Sequence, residues 1–141
     1  MKGDTIPDND HIVRLCHNKY VADEQIQATA FQLRRNEDSL SVNWLECLNC
    51  SGRENEIAEM RKMYAETFSS VGTRAEIAVL NVGEVREKVR LGSPDRRNID
   101  VLHDPMPEDP SHSGIYNLKP DNELIAELIL ETIRETYSAR T

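Results

Sequence analysis

Two segments of the chain place apolar residues at intervals of three and four, the spacing that puts them on one face of a helix. The first predicts a helix over residues 54–68, with Gly72 as its left-handed end. The second predicts a C-terminal helix that starts at residues 120–123, with an Asx residue as its cap. The apolar face of this second helix contains Leu124, Ile125, Leu128, Ile129, Ile133 and Tyr137.

Other segments have the composition and alternation of β-strands. Residues 40–45 put Leu40, Val42 and Trp44 on one side, and residues 76–82 are apolar on both sides, as in a buried central strand. Residues 28–35 are predicted to form a hairpin with residues 40–45. The remaining predicted elements are strands at 11–17, 99–103 and 115–118 and a short helix at 83–90.

This order of elements predicts a single α+β domain with a mostly antiparallel sheet packed against two main helices. Residues 11–141 form that domain, and residues 1–10 are predicted to be a flexible N-terminal segment. A length of 141 residues is enough for a core that needs no disulfide or metal to fold.

Charge and composition narrow the class of function. The 25 acidic residues outnumber the 17 basic ones, giving a net charge of −8, and this disfavours nucleic-acid binding. Neither a membrane-spanning apolar run nor a signal peptide is visible in the sequence. We therefore expect a cytoplasmic protein that has no membrane association, with a protein partner or a homodimer as its expected contacts.

The segment between residues 103 and 114 concentrates side chains that transfer protons. His103, Asp104, Asp109 and His112 lie in it, and three prolines restrict its conformation. Imidazoles and carboxylates held in fixed geometry can act as acids, bases and orienting groups, so these four are the candidate catalytic residues. The alternative is a solvated acidic connector that prevents edge pairing.

Arg14 lies within an apolar predicted strand, and Ser41 lies on the strand at 40–45. Together they are candidates for binding an anion, because arginine recognises phosphate and carboxylate groups. Arg14 can equally point outward from a half-solvated sheet. The order Arg14, Ser41 and then an acid such as Glu84 or Glu87 resembles the general layout of ADP-ribosyltransferase folds.

Three cysteines, Cys16, Cys47 and Cys50, are the remaining reactive groups. Cys47 and Cys50 have the two-residue gap of a metal or redox pair, which Cys16 and His17 would have to complete as a zinc site. Buried free thiols are the favoured interpretation. No metal site is assigned on this basis, and the cofactor stays unknown.

Three short segments, 28–31, 40–42 and 109–115, resemble those of a group of small bacterial proteins of unknown function. Those proteins share an early arginine, a small-residue and Phe segment, a Ser-Val strand and a late Asp-Pro-small-His-small motif. The resemblance implies a bacterial origin and points to the same residues, but it implies no activity.

Two hypotheses for function follow. The first is a non-catalytic interaction or accessory module of a multi-protein system, favoured by the small size and the absence of an established catalytic motif. The second is a small enzyme or ligand-binding domain for a phosphate-containing molecule, of nucleotide or ADP-ribose type. In that case Arg14 binds the anion while His103 and His112 transfer protons.

Overall fold

The computed structural model describes residues 3–140 of the chain. Its strands are β1 (His11–Cys16), β2 (Val21–Ala22), β3 (Gln25–Ile26), β4 (Ser39–Trp44), β5 (Glu76–Asn81), β6 (Asp100–His103), β7 (His112–Tyr116) and β8 (Glu135–Ser138). Its α-helices are α1 (Arg53–Thr67), α2 (Val82–Gly92) and α3 (Glu123–Leu130). Short 3-10 helices occupy Asn18–Tyr20, Ala28–Phe31 and Glu46–Leu48.

Six strands form one sheet in the order β6-β7-β4-β1-β5-β8, and β2 and β3 form a separate two-stranded ribbon. Each pairing in the six-stranded sheet is antiparallel. The predicted α+β fold with an antiparallel sheet is therefore confirmed. So is the interior position of residues 76–82, because β5 pairs with β1 on one side and with β8 on the other.

Helices cover both faces of this sheet. On one face, Val13, Ile57 and Ile77 belong to a core between α1 and the strands; we call this the α1 face. On the other, Val85, Ile115 and Ile129 belong to a core beneath α2 and α3; we call this the α2–α3 face. Because successive residues of a strand point to opposite faces, the interior strands β1 and β5 contribute residues to both cores.

The segment 28–35 is not a strand, so the predicted hairpin with residues 40–45 is wrong. Ala28–Phe31 is a 3-10 helix that packs against α3, and its Ala30 and Phe31 are buried. The strand at 40–45 instead pairs with β1 and β7. Burial of Phe31 and Leu33 by α3 accounts for the apolar pattern without a sheet partner.

The C-terminal helix is shorter than predicted. Asn122 caps α3 by accepting a hydrogen bond from the backbone N–H of Ile125 (2.9 Å), as expected of an Asx cap. The helix ends at Leu130, and Thr132 then donates its hydroxyl to the carbonyl oxygen of Ile129 (2.7 Å). The following residues, which include Tyr137, form β8 on the open side of β5.

Gly72 does not end a helix, so the predicted left-handed end of the helix at 54–68 is also wrong. Helix α1 already ends at Thr67, and Phe68 is extended. Gly72 is instead tightly packed against Asn18, whose side chain accepts a hydrogen bond from the N–H of Arg74 (2.9 Å). A Cβ at position 72 would lie 2.1 Å from the Asn18 side chain, so a larger residue there would displace Asn18 from this hydrogen bond.

Residues 3–6 lie against β6. Gly3 and Ile6 donate backbone hydrogen bonds to the carbonyl oxygens of His103 and Val101, at 2.6 and 3.0 Å. Ile6 is buried in the α2–α3 core. The division of the chain at residue 10 stays a prediction. Within residues 3–140, no helix is long and apolar enough to cross a membrane.

Candidate functional site

The site begins where β1 and β4 stop pairing. Their ladder contains only two pairs, Ile12 with Trp44 and Val13 with Asn43. Beyond it, the Arg14 side chain bridges β4 and the 3-10 helix at Ala28–Phe31. Its Nε donates to the carbonyl oxygen of Ala30 (2.6 Å) and its Nη1 to that of Ser41 (2.7 Å). A guanidinium thus occupies the position where backbone pairing would otherwise continue.

A cavity of about 250 Å³ lies beside this guanidinium, between α1, the sheet and the loop at residues 104–111. Its lining combines polar and apolar side chains. The polar lining is Arg14, His17, Ser41, Asn43, Tyr64, Thr67, Glu108, Asp109 and His112, and the apolar lining is Leu15, Met63, Phe68 and Met106. Four of the six predicted site residues, Arg14, Ser41, Asp109 and His112, therefore line one cavity.

Ser41 and His112 contact each other in the wall of this cavity. Ser41 Oγ is 3.3 Å from His112 Nε2, and His112 Nδ1 is 2.9 Å from the carbonyl oxygen of Asp104. A carbonyl oxygen only accepts hydrogen bonds, so Nδ1 carries the proton, and Nε2 of the neutral ring accepts from the Ser41 hydroxyl. The Asp104 carboxylate lies 3.8 Å from Nδ1 and would pair with the ring once it is protonated.

Asp109 contacts an amide rather than a histidine. Its two carboxylate oxygens accept hydrogen bonds from Asn43 Nδ2 at 3.0 and 2.9 Å, and Ser111 Oγ donates to one of them at 3.0 Å. Asn43 Oδ1 accepts from the Tyr64 hydroxyl of α1 (3.1 Å). We call these four residues the Asn43 cluster; it fixes the loop at residues 104–111 to both β4 and α1.

His103 lies on the opposite face of the sheet from His112. It pairs with Ser113 in the β6–β7 register, whereas His112 pairs with Asn43, and adjacent residues of β7 point to opposite faces. His103 is buried, packs edge-to-face on Trp44 at 5.0 Å, and has Nε2 2.7 Å from the carbonyl oxygen of Pro110. The structure therefore does not bring the two predicted histidines together.

The loop between these histidines has a defined conformation. Met106 and Asp109 exchange backbone hydrogen bonds at 3.1 and 3.0 Å across Pro107 and Glu108. Proline at the second position favours such a turn, because its φ is already near the required value. The prolines therefore hold the loop in a fixed shape at the rim of the cavity.

Electrostatics at the inner end of the cavity favour an anion. Among residues 3–140, no carboxylate forms an ion pair with Arg14. Burial lowers the pKa of the Arg14 guanidinium, which means that the fold provides little stabilisation for its charge. Burial, with the charges of Arg14 and Lys19, also lowers the pKa of His17, which favours the neutral form of this ring.

The cysteines lie outside this cavity. Cys16 is fully buried, and burial raises the pKa of its thiol to about 12. Cys47 and Cys50 line a different cavity, near Asp109 and Pro110. Within residues 3–140 no group of three or more His, Cys, Asp or Glu side chains is arranged to hold a metal ion.

Comparisons with known proteins give no further assignment. No protein-family model matches the chain, and neither a curated protein nor a solved structure matches it significantly. Neither acid considered for the ADP-ribosyltransferase layout lines this cavity, because Glu84 and Glu87 both lie on α2, where Glu84 pairs with Arg134 (3.1 Å).

Sequence reasoning missed Asn43, Tyr64, Met63 and Phe68 as site residues. A signal for Asn43 exists, since it lies in the strand at 40–45 on the side opposite the apolar residues Leu40, Val42 and Trp44. The other three belong to α1 and the residue after it, and no local pattern indicates which part of the sheet α1 covers.

Proposed function

We propose that the protein binds a small phosphate-containing molecule in the Arg14 cavity and acts on it as an enzyme. One observation carries this proposal: Arg14, which has no acidic partner among the described residues, lines the same cavity as the Ser41–His112 pair. Chemistry-bearing residues that converge in a concave pocket are the usual basis for inferring a ligand site.

Arg14 supports anion binding through its free donors and its environment. Its two bonds to carbonyl oxygens use only some of the guanidinium hydrogens. Hydrogen bonds between a charged donor and a phosphate oxygen are stronger than neutral ones, and the partly buried position reduces screening by solvent. A bound phosphate would supply the counter-charge that Arg14 lacks.

The cavity also limits the size and polarity of the ligand. Its volume of about 250 Å³ is below the common range of about 300–1,000 Å³ for ligand pockets, so a whole dinucleotide would not be enclosed. Met63, Phe68 and Met106 favour a short apolar or aromatic group next to the phosphate. Glu108 and Asp109 repel an anion at the loop side, so the phosphate should bind at the Arg14 end.

Calorimetric titration with phenyl phosphate and with inorganic phosphate tests this proposal. We expect phenyl phosphate to bind more tightly than inorganic phosphate, because it also contacts the apolar lining. Arg14→Gln should weaken binding of phenyl phosphate by about 10-fold to 100-fold, the equivalent of one charged hydrogen bond. Arg61→Gln is the matched control, because Arg61 Nε also donates to a carbonyl oxygen, that of Ser138 (2.9 Å), but lies outside the cavity.

Two results would contradict the proposal. One is the absence of binding by folded wild-type protein at millimolar ligand, which would leave the interaction-module hypothesis. The other is an equal loss of affinity in Arg14→Gln and Arg61→Gln. Circular dichroism of both variants identifies a variant that is unfolded, in which case Arg14→Lys is used in its place.

A further inference from the structure

Ser41 has the surroundings of an activated nucleophile. Its side chain is exposed to the cavity, and its Oγ is 3.3 Å from His112 Nε2. The hydrogen bond from His112 Nδ1 to the Asp104 carbonyl oxygen orients the ring, so that the lone pair of Nε2 points towards Ser41. A hydroxyl beside an oriented neutral imidazole is the arrangement that activates serine in nucleophilic catalysis. Such hydrogen bonds are often long before substrate binds and shorten in the complex.

We propose that Ser41 accepts the phosphoryl group of a small phosphate monoester, with His112 as general base and acid. This inference rests on the proposed function of the Arg14 cavity and specifies its reaction. In the first step the Ser41 hydroxyl proton moves to His112 Nε2, Oγ bonds to phosphorus, and the ester P–O bond breaks. The leaving alcohol takes the proton from His112.

Water completes the cycle. His112 accepts a proton from a water molecule while the water oxygen attacks phosphorus, and the bond between phosphorus and Ser41 Oγ breaks. Ser41 recovers its proton from His112, and inorganic phosphate leaves. The net reaction is hydrolysis of the monoester to an alcohol and phosphate, with water as the only co-reactant.

Arg14 is placed to stabilise the charge of the transferred group. Its Nη1 is 2.7 Å from the carbonyl oxygen of Ser41 itself, so the guanidinium lies next to the nucleophile. Arginine beside a transferring phosphoryl group stabilises the charge on its oxygens. Asp104 is a positioning residue: its carbonyl oxygen holds the ring, and its carboxylate, 3.8 Å from Nδ1, would stabilise the imidazolium formed in each step.

Hydrolysis of p-nitrophenyl phosphate, with acid quenching and mass spectrometry of the peptide that contains residue 41, tests the inference. We expect turnover by the wild-type protein and one added phosphoryl group on Ser41. Ser41→Ala should abolish both while binding phenyl phosphate within a few-fold of wild type. His112→Gln should reduce turnover by at least about 100-fold, the usual contribution of a general base.

Two substitutions outside the site are matched controls. Ser39→Ala removes a hydroxyl from the same face of β4, one pleat away, and should leave turnover unchanged. His11→Gln removes an imidazole whose Nδ1 is also hydrogen-bonded, to Glu46 (2.8 Å), and it should also leave turnover unchanged.

The outcomes separate the two proposals. Phenyl phosphate binding that depends on Arg14, together with no turnover and no phosphorylated Ser41, would overturn this inference and leave the proposed binding intact. Failure of binding as well would overturn both. Acylation of Ser41 by p-nitrophenyl acetate without any phosphorylation would overturn phosphate esters as the substrate class. Turnover that survives in Ser41→Ala would overturn Ser41 as the nucleophile.

Discussion

The two faces of the sheet are covered by helices to different extents. On the α2–α3 face, Leu40, Val42 and Ile115 are almost fully buried beneath α2, α3 and the 3-10 helix at Ala28–Phe31. On the α1 face, a single helix covers β1, β5 and β8 and leaves the β4–β7 side to Ser41 and His112. The cavity thus lies beside α1, which lines it with Met63, Tyr64 and Thr67 but does not cover Ser41 and His112.

Polar groups are used differently on these two faces. Buried polar atoms require hydrogen-bonding partners, and the Asn43 cluster provides them at the border between the α1 core and the cavity. The core of the α2–α3 face is instead built from buried apolar side chains and contains the fully buried Cys16. We infer that the first face maintains the shape of a site and that the second provides most of the apolar burial.

Thiol reactivity should show the largest difference between the faces. Cys16 lies in the α2–α3 core with a pKa raised to about 12, whereas Cys47 is only half-buried. Alkylation of Cys16 requires opening of the core, and an opening free energy of about 5 kcal/mol slows a reaction more than 1,000-fold. We therefore expect iodoacetamide at pH 7.5 to modify Cys47 at least about 1,000-fold faster than Cys16.

Peptide mass spectrometry at timed intervals measures this ratio, and alkylation in concentrated urea is the control that should make the rates similar. Rates within 10-fold of each other in the native protein would contradict a closed α2–α3 core.

The Asn43 cluster should contribute several kcal/mol on the α1 face. Asn43→Leu keeps the side-chain size but removes both hydrogen bonds to Asp109 and the acceptor of Tyr64. We expect the free energy of unfolding to fall by about 2–4 kcal/mol, because a buried carboxylate loses its main donor. Urea unfolding followed by circular dichroism measures the change.

A double-mutant cycle separates hydrogen bonding from packing. Asn43→Leu combined with Asp109→Leu should cost less than the sum of the two single variants by at least about 1 kcal/mol, because neither partner is left unpaired. Strict additivity would mean that this pair contributes no coupling, and the loop at residues 104–111 would then be held by other contacts.

The elements that depend on local periodicity were predictable from the sequence. Ile57, Met60 and Tyr64 are buried along α1, and Leu40 and Val42 share a core, as their spacing indicates. β8 was not predictable in this way, because its apolar residues continue the spacing of α3. The helix ends where Thr132 and Ile133, which are β-branched, precede a strand that completes the open side of β5.

The site was predictable by residue type but not by geometry. Arg14, Ser41 and His112 are brought together by the pairing of β4 with β1 and β7, which no local pattern specifies. The separation of His103 from His112 depends on the register of a hairpin whose loop length is not fixed by sequence alone. A shift of one residue in that register would put both histidines on the same face.

The smallest expected effect is a weak pH dependence of folding stability caused by Glu76, at the border of the α2–α3 face. Glu76 pairs with Cys16 in the β1–β5 register, so it points to the α2–α3 face, and burial raises the pKa of its carboxyl. A raised pKa in the folded state means that this group contributes stability below its unfolded pKa of about 4.5, and the contribution is lost as pH rises through the folded value.

Glu76→Gln removes the ionised form, so we expect the variant to gain stability relative to wild type at pH 7 and to lose that gain near pH 4. Because the side chain is partly solvated, the difference should be a few tenths of a kcal/mol, measured by urea unfolding at both pH values with Glu127→Gln on the exposed side of α3 as control. A larger gain at pH 4 than at pH 7 would mean that the Glu76 carboxylate is stabilised in the fold, and that the α2–α3 face tolerates charge at its border as the α1 face does.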